Sequence, residues 1–161
     1  MVNYYEIFLE RRNVFFVLSM AGLAILFSFL FSYLLSLFGL QLINPIDCHS
    51  FTEKIIVAVV LAPLFESWIF QYLPFFYLQK LYKEETGLFK WFYIVISTLL
   101  FSIQHYYSIW YIIAMIVPGI LLAYSFLHFY ALYKNLIVPF WFIVIIHALV
   151  NLIATLSDYL P

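Results

Sequence analysis

The sequence predicts an all-α membrane protein, a polytopic bundle of about five transmembrane helices. Hydrophobic residues make up 67% of the 161 positions and charged residues only 9%, whereas a soluble domain carries about 25% charged residues. Residues 91–133 contain no Asp, Glu, Lys or Arg at all. These two observations exclude an ordinary water-soluble domain and indicate a chain whose surroundings are membrane lipid.

The first two predicted spans are separated by a polar loop. Residues 14–40 form an apolar run that is longer than a signal-peptide core of about 7–15 residues, so we interpret it as a retained first span. The loop that follows contains Asn44 and Pro45, a dipeptide typical of turns. Residues 55–79 form the second span, which carries one full charge, on Glu66.

The uncharged segment 91–133 is expected to supply two more spans. A single helix of about 43 residues would be about 65 Å long, twice the thickness of a bilayer core, so the segment must turn once. A turn at residues 107–110 divides it best, and Pro118 then kinks the fourth span, which membrane helices tolerate. Gly119 and Ala123 have the spacing typical of close helix packing. The fifth span covers residues 136–156.

The distribution of lysine and arginine predicts the orientation of the bundle. Five spans place six basic residues on one side of the membrane and only Lys54 on the other. Since cytoplasmic loops carry the excess of Lys and Arg, the N-terminus is predicted to be cytoplasmic and the C-terminus to lie outside the cell membrane. The six residues are Arg11, Arg12, Lys80, Lys83, Lys90 and Lys134.

The remaining composition excludes some classes of site and partner. Cys48, the single cysteine, excludes an intramolecular disulfide and a cysteine-based zinc site. The net charge of −1 gives no reason to expect nucleic acid as a partner. We found no internal repeat, and residues 1–161 are interpreted as one membrane domain, with an N-terminal span and loop at 1–52 and a core at 53–157.

Glu66 is the most unusual residue of the predicted bundle. A charge at the bilayer centre costs about 2.5–3.5 kcal/mol on insertion scales, so an intramembrane Glu indicates a functional site. With about 1.5 Å of rise per residue from the cytoplasmic helix ends, Glu66, His105 and His147 all lie at depths of about 20–22 Å. Asn151 lies one turn beyond His147 on the same helix face. We therefore predict one polar pocket formed by these four residues, with His128, at about 9 Å, outside it.

The residue types of this pocket allow more than one interpretation. Taken singly, a membrane His or Asn is often a hydrogen-bonded packing residue. Taken together, Glu and His can position and deprotonate a water, and a second His with Asn can donate hydrogen bonds to a developing oxyanion. That combination suits hydrolysis of an amide. Glu66, His105 and His147 also match the His₂Glu ligand set of zinc hydrolases, which makes zinc a candidate cofactor.

Three segments resemble the motifs of the CAAX-protease and bacteriocin-processing (CPBP) family of intramembrane proteases. They are APLFESWIFQ at 62–71, FSIQH at 101–105 and HALVN at 147–151. The family pattern is Glu-Glu-x-x-x-Arg, then Phe-x-x-x-His, then His-x-x-x-Asn, on successive helices. The resemblance covers about two-thirds of the chain, residues 53–157.

The resemblance implies a role for each pocket residue. Glu66 and His105 would activate a water molecule, while His147 and Asn151 would form the oxyanion site. The implied function is an intramembrane endopeptidase, zinc-dependent or metal-free, that cleaves a membrane-associated peptide or protein such as a prenylated or bacteriocin-type peptide. The alternatives are a non-catalytic relative, acting as a membrane binding or bacteriocin-immunity protein, and a proton- or ion-handling protein.

The sequence departs from the family pattern at two positions. Ser67 stands where the family has its second Glu, and Gln71 stands where it has Arg. Residues four apart face each other along a helix, so the family's Glu and Arg could form an ion pair. Ser67 and Gln71 are both neutral and are expected to hydrogen-bond instead, a change that bears on efficiency and substrate choice.

Overall fold

The computed structural model describes residues 4–42, 50–82 and 86–157, and within these ranges the chain forms helices and no strands. A short helix α1 (Tyr4–Leu9) precedes the long α2 (Arg11–Leu37). Helix α3 (Phe51–Leu81) is followed by α4 (Gly87–Ile103). A broken pair, α5 (Ile109–Ala114) and α6 (Ile116–Tyr133), leads to α7 (Ile137–Ser157).

Five of these helical units are apolar enough to lie in a membrane. Helices α2, α3, the α5–α6 pair and α7 are long enough to cross it. Helix α4 has 17 residues and is about 26 Å long, a few ångström short of a bilayer core of about 30 Å. Large apolar side chains such as Phe15, Leu26 and Trp91 are exposed on the outer faces, where lipid would cover them. The predicted all-α polytopic bundle is confirmed.

Helix α3, which carries Glu66, is not a regular α-helix. Its two π-helical segments, Ile55–Leu61 and Trp68–Tyr72, each end two residues before a proline, Pro63 or Pro74. Proline lacks an N–H and its ring clashes with the carbonyl four residues earlier, so a wider turn upstream of it relieves the clash. The α-helical parts are Phe51–Lys54, Ala62–Ser67 and Leu73–Leu81. The predicted second span, residues 55–79, lies within this helix.

The segment between α4 and α6 turns slightly earlier than predicted. Residues 104–108 form the turn, whereas the prediction was 107–110. The break between α5 and α6 lies at Met115, and Pro118 sits in the first turn of α6. The first four N–H groups of a helix have no intrahelical partner, so a proline there removes no hydrogen bond. Instead of the predicted kink at Pro118, a new helix therefore starts just before this residue.

Helices α4 and α6 pack closely at Gly119. A Cβ atom added at Gly119 would lie 3.1 Å from Phe101 Cδ1, 3.3 Å from Thr98 Cγ2 and 3.4 Å from Thr98 Cα. Ala123, one turn on, is fully buried. The small-residue spacing seen in the sequence therefore does mark a close helix contact.

We expect Gly119→Ala to destabilise the bundle by about 1–3 kcal/mol, the usual cost of overpacking. The Thr98 Cγ2 atom belongs to a short β-branched side chain, which cannot move away as the end of a long flexible side chain can. Thermal unfolding in one detergent measures the loss. Gly22→Ala is the matched control, because nothing lies within 4 Å of a Cβ built on Gly22. Equal stability of both variants would contradict close α4–α6 packing.

Candidate active site

A cavity of about 330 Å³ lies between α2, α3, α6 and α7. Glu66, His105, His147 and Asn151 all contribute to its wall. His128 lies elsewhere, with its ring stacked on Phe16 at 4.0 Å between centroids. The structure thus brings together the four residues that the sequence places at one depth and leaves the fifth outside the described wall.

The Glu66 carboxylate lies between the two histidines. Its Oε2 atom is 3.8 Å from His147 Nε2 and 4.0 Å from His105 Nε2. These distances are too long for direct hydrogen bonds and are suited to a water molecule that bridges the three groups. Among the described residues Oε2 has no hydrogen-bond partner, although the Gln104 side chain lies beside the carboxylate.

His105 follows the end of α4, and its ring is oriented by that helix end. Its Nδ1 lies 2.8 Å from the carbonyl oxygen of Phe101. A carbonyl can only accept, so Nδ1 carries the proton and Nε2 presents its lone pair towards Glu66. The Tyr111 ring stacks against the imidazole, with centroids 5.7 Å apart and planes 13° from parallel. His105 is therefore held as an acceptor facing the carboxylate.

His147 is the more deeply buried of the two histidines. Its side chain is only 7% exposed, and its Nδ1 has no hydrogen-bond partner in the described part of the chain. The Phe101 ring packs against it edge-on at 5.6 Å. Because the two histidines lie at nearly the same distance from Glu66, these distances do not assign different roles to them.

Asn151 connects α7 to the irregular part of α3. Its Nδ2 donates a hydrogen bond to the Ala58 carbonyl at 2.7 Å. In the π-helical segment an N–H bonds the carbonyl five residues earlier, as the Ala62 N–H does with Val57. The Ala58 carbonyl would pair in the same way with residue 63, but Pro63 has no N–H. The Ala58 carbonyl is thus left without that backbone donor, and Asn151 supplies one. The amide has a second N–H, and Asn151 is one of the residues that line the cavity.

The donor atoms of Glu66, His105 and His147 are farther apart than in a zinc site. Tetrahedral zinc with bonds of about 2.0–2.2 Å holds neighbouring donor atoms about 3.3–3.6 Å apart. The two Glu66–histidine separations, 3.8 and 4.0 Å, are wider. Over residues 4–42, 50–82 and 86–157, no group of three His, Cys, Asp or Glu is placed to hold a metal ion. The donors as positioned do not fit zinc.

Ser67 and Gln71 are both fully buried beside this site. The expected hydrogen bond between them is not formed, and neither side chain has a partner among the described residues. The expectation assumed α-helical spacing, whereas Gln71 lies in the π-helical segment Trp68–Tyr72. A π-helical turn does not keep the α-helical spacing of residues four apart, so the expected bond does not form.

Several wall residues were missed by sequence reasoning. Tyr111 belongs to another helix, so no spacing rule links it to His105. Ser28 and Ser32, four apart on α2, are polar residues of an apolar span that spacing could have identified. Lys54 was assigned to an outer loop, whereas the structure buries it in the cavity wall with 6% exposure.

Fold and site together define a multi-pass membrane protein with a buried pocket of one glutamate, two histidines and one asparagine. The chain belongs to the family of type II CAAX prenyl endopeptidases described as Rce1-like, whose sequence profile matches residues 48–153. This is a protease family, and the match spans all three motifs. Neither a curated protein nor a solved structure matches the chain significantly.

Proposed function

We propose that the protein is an intramembrane endopeptidase that hydrolyses one peptide bond of a membrane-associated substrate. The observation that carries the proposal is a carboxylate oxygen 3.8 and 4.0 Å from two imidazole nitrogens in the wall of a cavity within the bundle. Membership in a protease family supports it. The proposed site residues are Glu66, His105, His147 and Asn151.

In this proposal a water held between Glu66 and His105 attacks the carbonyl carbon of the substrate. Glu66 accepts the proton of that water, and His105 accepts a hydrogen bond that orients it. Asn151 and His147 donate hydrogen bonds to the carbonyl oxygen as it becomes negative. The C–N bond then breaks, and the proton held by Glu66 passes to the leaving nitrogen. A carboxylic acid, which keeps the second proton of the water, and an amine result, and only protein groups and water take part.

The shape of the cavity bears on the substrate. Its wall includes Ser32 near the end of α2, Lys54 at the start of α3 and Ser157 at the end of α7. The cavity therefore extends from Glu66 towards the end of the bundle opposite Lys80. We propose that an extended peptide enters there, and that a prenylated or bacteriocin-type peptide is the class to test first.

Cleavage of a peptide library by the wild type and by Glu66→Ala, in proteoliposomes, tests the proposal. We expect products from the wild type and none from the variant. Identical product profiles would refute it. The second candidate is a non-catalytic relative that binds peptides, a role favoured by the uncharged residues Ser67 and Gln71. It predicts binding of library peptides by the wild type without any cleavage.

Asn151→Ala is expected to leave a reduced activity. Loss of one oxyanion donor typically lowers kcat by about 10²–10³-fold. The Ala58 carbonyl also loses its donor, so thermal stability should fall by about 1–3 kcal/mol, the cost of an unsatisfied buried group. Initial rates with a library-derived substrate, together with melting temperatures, separate the two effects. Unchanged kcat with lowered stability would leave Asn151 only a structural role.

We also propose that the loop with Cys48 faces outwards, on the evidence of the basic-residue asymmetry. Cys48 lies outside the described residues, but as the only thiol it provides a direct test. A membrane-impermeant maleimide should label intact cells that express the protein. Cys48→Ser is the control for specificity. Labelling only after permeabilisation, with the thiol shown to be free, would mean the opposite orientation.

A further inference from the structure

Four fully buried polar side chains belong to α3 and α4, and we refer to them as the polar column. Each has at least one polar atom without a hydrogen-bond partner among the residues that the structure describes. None of them belongs to the described wall of the cavity. They start beside Glu66 and continue towards the Lys80 end of α3, away from the cavity. The residues are Ser67, Gln71, Ser97 and Tyr93.

Ring contacts show how α3 and α4 pack beside the column. Phe75 on α3 packs against Tyr93 on α4, with centroids 5.2 Å apart. Gln71 precedes Phe75 by four residues, and Ser97 follows Tyr93 by four. Helices α3 and α4 run antiparallel. One turn from the Phe75–Tyr93 contact towards Glu66 therefore leads to Gln71 on α3 and to Ser97 on α4, at the same level. The Tyr93 hydroxyl lies beside the Ser97 hydroxyl.

The end of the polar column that is nearest to Glu66 adjoins the candidate active site. Ser67 is the chain neighbour of Glu66, one turn from Gln71 along α3. At this level Phe70 and Phe101 pack edge-on at 6.3 Å, which keeps α3 and α4 in contact. The column therefore reaches from the Tyr93 hydroxyl to the residue adjoining the carboxylate.

The chemistry of these groups indicates what they bind. A Gln amide has two donors and acceptor sites on its oxygen, and neither its nitrogen nor its oxygen has a partner among the described residues. Buried groups of this kind are normally hydrogen-bonded, and water serves where protein groups do not. The column is neutral and offers both donors and acceptors, so an ion would find no opposite charge in it. Water, which needs two to four polar partners, fits it.

We propose that the polar column binds water behind Glu66 and supplies it to the carboxylate. Each hydrolysed peptide bond consumes one water. A bound peptide would fill the cavity and block access to Glu66 from that side. A replacement water must therefore reach Glu66 from the side of the polar column. The hydration of the column is independent of activity, whereas its role as a water supply rests on the proposed peptidase function.

Hydroxyl-radical footprinting with mass spectrometry tests the hydration. Radicals formed from bound water modify side chains next to it, so fully buried Tyr93 should be modified. Phe129 is the dry reference, since it is equally buried and stacked on Phe142 at 3.7 Å. After correction for intrinsic reactivity, modification of Tyr93 well above Phe129 is expected. Equal, low modification of both residues would overturn the proposal.

Three variants make this test specific. Gln71→Leu should reduce Tyr93 modification to the Phe129 level, and Ser97→Ala should reduce it if the first variant folds poorly. Ser125→Ala is the matched control, because this fully buried serine already donates to the Leu121 carbonyl at 2.7 Å. Tyr93 modification should not change in it. A similar decrease in all three variants would overturn the assignment.

The supply role is tested by the kinetics of the same variants. Ser97→Ala should lower kcat by about threefold to tenfold, the equivalent of one hydrogen bond, with KM unchanged. Ser125→Ala should not change either constant. Modified Tyr93 with unchanged kcat in Ser97→Ala would refute the supply role. If the wild type cleaves no peptide, the peptidase proposal and the supply role fail, whereas footprinting still decides the hydration.

Discussion

Glu66→Gln is expected to abolish peptide cleavage, with a fall in kcat of about 10²–10⁴-fold, the contribution typical of a positioned general base. Glutamine has nearly the same shape and still accepts hydrogen bonds, but it cannot take a proton from water. The fold should persist, because the change removes a charge from within the membrane rather than adding one. Initial rates on a substrate found in the peptide library measure the effect.

His105→Ala should have a similarly large effect, because it removes the lone pair that faces Glu66 at 4.0 Å. His128→Ala is the matched control, since His128 stacks on Phe16 away from the cavity. Full activity in Glu66→Gln would be incompatible with the mechanism. Activity that survives exhaustive chelation in metal-free preparations would rule out the zinc-dependent alternative. Activity that is lost on chelation and restored by zinc alone would support that alternative.

The second large effect is expected from charges placed at Ser67 and Gln71. Ser67→Glu adds a second carboxylate beside Glu66, and Gln71→Arg adds a lone cation, both at fully buried positions. Each single variant should lose about 2.5–3.5 kcal/mol, as for central membrane charges. The double variant restores the family's Glu and Arg, whose long side chains can meet across one turn. It should recover much of the loss, because close charges are not additive.

Folded yield and melting temperature of the two singles and the double, in one detergent, measure this coupling. Gln71→Met is the neutral control, because it changes the polarity with little change in volume and adds no charge. Additive losses in the double variant would show that Glu and Arg do not pair at these positions. The account of the missing Glu and Arg would then be wrong.

Much of the fold could be predicted from the sequence because the bilayer restricts the length and the composition of each spanning segment. A spanning segment must be apolar and about 20 residues long, so the positions of Lys80, Lys90 and Lys134 mark helix ends. Counting from these ends put Glu66, His105 and His147 at one depth, where the structure also has them. Gly119 could be predicted as a close contact because only small residues let helices approach so closely.

The number of apolar helices, their approximate ends and the depth of the charged and imidazole groups all follow from the order of residues along the chain. Features that depend on rotation about a helix axis and on contacts between distant segments follow only from the folded structure. Pro63 shifts the hydrogen bonding of α3, and the resulting bond from Asn151 to Ala58 links residues 93 positions apart. Ser67 and Gln71 are not hydrogen-bonded to each other, because Gln71 lies in a π-helical turn, which is wider than the α-helical turn that spacing rules assume. Lys54 became part of the cavity wall because the cavity reaches the start of α3, which apolar run length does not reveal.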